Sequence, residues 1–135
     1  MIDLNKYADF VEAITSQPSN NLDAYMASLE RVNDSKPEVN VPLLITGAMG
    51  MSGEAGEFSE IIKKVMFHGK ELTQEVHDHL VKELGDVIWY WTNTCRALGV
   101  NPNDVIALNV SKLEGRYPGG TFSAAASETR KEGDI

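Results

Sequence analysis

The chain has 135 residues, 42% hydrophobic and 24% charged, with Lys+Arg 12 against Asp+Glu 20 for a formal charge of −8. Length and composition describe one globular domain, and the acidity argues against a protein that coats a nucleic-acid polymer or docks on an anionic membrane, since both need clustered Lys and Arg. No apolar run is long enough to span a bilayer, no secretory leader is evident at Met1-Ile2-Asp3-Leu4, and the single cysteine, Cys95, fits a reducing compartment, so a cytoplasmic location is expected.

In chain order, Asp3 to Ser16 reads as a first helix, with Leu4, Tyr7, Ala8, Val11 and Ile14 at three- and four-residue steps. Gln17-Pro18-Ser19-Asn20 breaks it, and Leu22 to Val32 forms a second helix. Asn40 can cap a third that tolerates Pro42 in its first turn and ends between Phe67 and Gly69. Thr73 caps a fourth that runs to Leu98 and stops at Gly99. Asn101-Pro102-Asn103 opens a fifth, ending around Gly115 or Tyr117. The fold expected is all-α, a helical bundle built on a long antiparallel helix pair, in one domain over residues 1–120 with its motif-bearing core at 41–120. Residues 121–135 read as a disordered or loosely docked tail.

The third predicted helix carries Gly47, Gly50, Gly53 and Gly56 at every third position. A glycine inside a helix costs about 1 kcal/mol relative to alanine. No Gly-Lys-Ser/Thr follows to make a phosphate-cradling loop, so the preferred reading is a ridge that admits another helix closely.

The acids are concentrated where chemistry can use them. Residues 41–53 carry no charge, and 54–86 carry eight acids and four bases. The fourth predicted helix has an apolar stripe (Val76, Leu80, Leu84, Val87, Ile88, Trp91, Cys95, Leu98) and a second stripe, His79, Glu83, Asp86 and Tyr90. The third has Glu54 and Glu57 beside Met51, Ala55, Phe58, Ile62 and Val65. Antiparallel packing brings the four carboxylates together. Converging carboxylates repel, and such a cluster makes sense around a divalent cation. An all-oxygen ligand set favours Mg²⁺ or Mn²⁺, and with it phosphoryl-type chemistry.

Gly53-Glu54-Ala55-Gly56-Glu57 followed by Glu83-Leu84-Gly85-Asp86-Val87 resembles the E-x-x-E … E-x-x-D signature of the MazG-like all-α nucleoside triphosphate pyrophosphohydrolases. Asn109-Val110-Ser111-Lys112-Leu113-Glu114-Gly115-Arg116-Tyr117-Pro118 is similar to that family's N-x-x-K-L-x-x-R-Y-P stretch. Gly53 stands where many members carry a further Glu. The resemblance covers residues 41 to 120, and residues 1–40 carry no matching motif. It implies Mg²⁺-dependent hydrolysis of an NTP or dNTP to the monophosphate and pyrophosphate. Glu54, Glu57, Glu83 and Asp86 then hold the metal, and one of them accepts a proton from the attacking water. Asn109, Lys112, Arg116 and Tyr117 lie at the nucleotide, and Lys64 and Lys70 are further candidates for the triphosphate.

Three rivals are weighed against this reading. A di-iron bundle needs Glu-x-x-His, and no glutamate here has a histidine three residues later. A non-enzymatic helical module predicts acids that are merely solvated. A related phosphohydrolase would release orthophosphate. His68 and His79 read as solvent-exposed residues near helix ends, Trp91 and Cys95 as core, and Trp89 as an oligomer-interface residue. Surplus apolar surface at Leu43, Leu44, Ile45, Met49 and Met51 predicts a homodimer or homotetramer with the glycine ridge near the interface.

Overall fold

The computed structural model describes residues 3–129. Its elements are α1 (Leu4–Ile14), α2 (Gln17–Asn20), α3 (Leu22–Ser35), α4 (Val41–Phe67), α5 (Gln74–Leu98), α6 (Pro102–Arg116) and α7 (Ala124–Glu128), with no strand among the described residues. The third, fourth and fifth predicted helices are α4, α5 and α6. Two short elements were not expected: Gln17–Asn20 closes a single helical turn rather than a plain break, and a turn forms at Ala124–Glu128 within the segment read as a tail. Residues 130–135 of that segment lie outside the described residues.

Local chemistry sets the ends of the two long helices. The Asn40 side chain accepts from the Leu43 N–H, and Pro42, which has no N–H to leave unpaired, sits in the first turn of α4. Gly69 adopts φ +69°, and the Lys70 N–H closes on the Lys64 carbonyl, satisfying a carbonyl at the end of α4. Thr73 Oγ1 accepts from the Val76 N–H to start α5. Gly99 ends it at φ +67°, where the Val100 N–H bonds the Cys95 carbonyl.

The α4–α5 hairpin is the centre of the molecule; α3 packs on α4, and α6 on α5, far more lightly. The Asn40 N–H donates to the Ala97 carbonyl at 2.8 Å and ties the open end of the hairpin. Along the seam a Cβ on Gly47 would overlap Thr94, and one on Gly50 would overlap the Tyr90 ring. Gly53 and Gly56 face open space, so half of the glycine ridge works as a close-approach surface and half does not.

The core is small for the chain. Among the described residues, Val41, Ile61, Val76, Cys95 and Ala97 are its buried apolar residues, and no large side chain is fully enclosed. The apolar stripe expected on α5 splits in two: Val76 and Cys95 are buried, while Leu84, Ile88 and Leu98 are exposed. Of the set expected on α4, Ala55 and Ile62 face outward. One neighbouring helix covers only a narrow stripe of α5, and the sequence stripe is wider than that contact. Among the described residues no helix is long and apolar enough to cross a membrane.

Candidate metal centre

The two glycine contacts set the register of the hairpin. Gly50 meets Tyr90 and Gly47 meets Thr94, so one turn forward on α4, three residues, runs level with one turn back on α5, four residues. That register places Glu54 level with Asp86 one turn further along, and Glu57 level with Glu83 two turns along. Glu54, Glu57 and Glu83 each present a carboxylate oxygen, and these three oxygens lie within 4.8 Å of one another. Asp86 lies outside that triad of oxygens, but its charge acts on Glu54.

Burial differs sharply within the cluster. Glu57 is exposed, Glu54 half-buried, and Glu83 only 6% exposed. Glu83 Oε1 lies 2.9 Å from His79 Nε2, an ion-pair contact with the residue one helical turn earlier on α5. Glu83 Oε2 is buried with no hydrogen-bond partner. An unpaired buried carboxylate oxygen is costly. The Glu54 carboxyl is held above its ordinary value of 4.5, first by desolvation and then by the negative charges of Glu57, Asp86 and Glu83. Every charge named there opposes ionisation of Glu54. A divalent cation fits this donor set: hard oxygens, mutual repulsion to relieve, and one buried oxygen with its bonding capacity open.

The basic candidates fall in different places. Lys64 lines a groove of about 300 Å³ with Gly53, Gly56, Glu57, Glu60, Ile61 and His79, and pairs with Glu60 at 3.5 Å. Lys70 lines a larger cleft of about 910 Å³ at the hairpin turn, which also reaches His79 and Lys82. Tyr117 is on neither; it lines a third cleft with Leu113, Glu114, Gly120, Thr121 and Phe122, and its ring lies 5.9 Å from that of Phe122. Asn109, Lys112 and Arg116 sit on α6, which meets α5 lightly. Lys64 and His79 are gathered with the acids on the hairpin, and none of the α6 candidates is among the residues lining that groove.

His79 is the residue that sequence reasoning undervalued. Its side chain is exposed, as expected, yet it anchors the most deeply buried acid of the cluster. The four-residue spacing from His79 to Glu83 was the available signal, since residues four apart stack on a helix.

A hairpin of two long helices, pinched together at glycines and carrying a carboxylate cluster at mid-height, defines a class: an all-α domain with a carboxylate cluster compatible with metal binding. Residues 46–121 match the family model of the MazG nucleotide pyrophosphohydrolase domain, and the chain belongs to that family. It is also similar to the "Gene 37 protein" of Mycobacterium phage L5, with 38% identity over 79 residues, spanning 57% of this chain and 68% of the relative. No solved structure matches the chain.

Proposed function

We propose that this protein is a Mg²⁺-dependent nucleoside triphosphate pyrophosphohydrolase that converts an NTP or dNTP to its monophosphate and pyrophosphate. The observation that carries this is the carboxylate triad within 4.8 Å, one member of which keeps a buried, unpartnered oxygen. Glu54, Glu57 and Glu83 would hold the cation, with Asp86 beside them, and Mn²⁺ is the natural substitute. A bound cation there supplies Lewis acidity toward phosphate oxygens and makes a nearby water more acidic. The chain's own acids then have two roles: they orient that centre, and one of them takes the proton released as water attacks phosphorus. Lys64, which lines the groove, and Lys70, which lines the adjoining cleft, would meet phosphate charge.

Asn109, Lys112, Arg116 and Tyr117 remain the proposed nucleotide contacts. A homo-oligomer supports that role, because a second copy covering the exposed faces of the hairpin can bring its α6 to this groove. Exposed Leu84, Ile88 and Trp89 on α5 and Met49 and Met66 on α4 give such a copy apolar surface to bury. A homodimer or homotetramer acting on free nucleotides, with no nucleic-acid polymer or membrane as partner, follows from this reading, and buried reduced Cys95 is consistent with the cytoplasm.

The test is a panel of ordinary and modified NTPs and dNTPs with Mg²⁺, scored for pyrophosphate. Turnover of at least one, lost by 100-fold or more in Glu83→Gln, is expected. Orthophosphate release would move the protein to a different phosphohydrolase reaction. No turnover, together with no Mg²⁺-dependent rise in melting temperature, would make it a non-enzymatic helical module.

A further inference from the structure

The two oxygens of Glu83 are not equivalent. Oε1 is tied to His79 Nε2 at 2.9 Å, whereas Oε2 is buried and unpartnered. The Glu83 side chain is 7% exposed and His79 is 54% exposed, so the imidazole sits on the solvent side of the acid and occupies the oxygen nearer water. Glu54 and Glu57 each bring a carboxylate oxygen within 4.8 Å of one on the same acid, and the charge of Glu83 acts on Glu54.

A carboxylate with one oxygen held against an imidazole nitrogen presents its other oxygen to a cation first. That matters for which cation binds. Mg²⁺ requires near-ideal octahedral geometry at short distance, whereas Ca²⁺ takes six to eight oxygens at longer distance and readily uses both oxygens of one carboxylate. Partners of ligating groups hold those groups in orientation and typically account for about 10- to 100-fold in metal affinity.

We propose that His79 is a positioning residue that holds Glu83 to single-oxygen ligation and so sets the site's preference for a small octahedral cation over Ca²⁺; this rests on the metal-centre reading above. His79 touches neither nucleotide nor reacting phosphorus in this role. It acts through Glu83, and it distinguishes this chain's centre by a contact between neighbouring turns of α5 rather than by a further acid.

The experiment titrates the full-length, metal-free protein separately with MgCl₂, MnCl₂ and CaCl₂, without nucleotide. It follows melting temperature against cation concentration and, for Mn²⁺, the loss of the free-ion electron paramagnetic resonance signal. Wild type, His79→Ala, His79→Gln and Glu83→Gln are compared. His79→Ala is expected to weaken Mg²⁺ and Mn²⁺ by about 10-fold or more while Ca²⁺ weakens less or tightens, so the Mg²⁺/Ca²⁺ affinity ratio falls by about 10-fold. His79→Gln, which can still donate N–H, is expected to recover part of that ratio. Equal weakening of all three cations, or an unchanged ratio, overturns the assignment of His79. If wild type and Glu83→Gln bind every cation alike, the metal centre itself fails and the His79 proposal with it. That outcome differs visibly from failure of His79 alone, in which Glu83→Gln still abolishes binding.

Discussion

At the scale of single residues the cluster is a stored repulsion. Glu54 is pushed up from 4.5 by desolvation and by three neighbouring acids. The sign follows directly: a carboxyl with a raised folded-state value binds its proton more tightly folded than unfolded. The metal-free protein should therefore lose stability as pH rises from about 4.5 through that raised value, and added Mg²⁺ should oppose the loss. Glu54→Gln removes the charge and keeps the shape. The metal-free variant is expected to melt at the same temperature as wild type or higher, while its Mg²⁺-induced shift disappears. A variant that melts lower without metal and still gains from Mg²⁺ would show that Glu54 is a structural acid. A saturable cation adds about 2.7 kcal/mol at 100 times its Kd, enough to read as a shift of several degrees in a domain this size.

At the scale of elements the close approach of α4 and α5 is decided at Gly47 and Gly50. Both stand where a Cβ would strike a side chain of α5, and the register they impose carries Glu54 and Glu57 level with Asp86 and Glu83. Gly50→Ala must displace the Tyr90 ring, and overpacking of this kind costs about 1–3 kcal/mol. Gly53→Ala meets nothing within 4 Å and gains up to about 1 kcal/mol of helix propensity. Thermal melting of the two variants should therefore move in opposite directions. Lowered melting in both would mean that Gly53 is covered by something other than this chain. Most of these elements were legible in advance, because Asn40, Thr73, Gly69 and Gly99 are strong local stop and start signals and the helices between them are periodic. The turn at Gln17–Asn20 was not, since one helical turn holding a proline leaves no periodicity to read.

At the scale of the whole molecule the outstanding feature is how little apolar surface one chain buries. The face of α1 carries Leu4, Tyr7, Phe10 and Ile14 in the open, and α5 shows Ile88 at 58% and Trp89 at 57% exposure. Fully burying one large apolar side chain is worth about 1.5–3 kcal/mol, so a second copy laid on these faces gains substantially. Sedimentation at micromolar concentration should give a dimer or tetramer mass, and Ile88→Glu, which places a charge in that contact, should weaken assembly by about 100-fold or more. A monomeric wild type would end the oligomer proposal, and with it the route by which α6 of a second copy reaches the acids.

Sequence alone determined the helices, the hairpin and the candidate acids from which the cluster is drawn, because caps, glycine stops and the spacing of Glu54, Glu57, Glu83 and Asp86 are local properties of the chain, whereas Asp86 lies outside the converging triad. Only the tertiary structure decided which acids converge, which one is buried and what holds it. Burial of Glu83 depends on the inter-helix distance set by Gly47 and Gly50, and the division of its two oxygens depends on which side of α5 faces α4. The same holds for the apolar stripe of α5. Its width is written in the sequence, but how much of it one neighbour can cover is a matter of helix packing, and the uncovered part is what leaves Leu84 and Ile88 exposed.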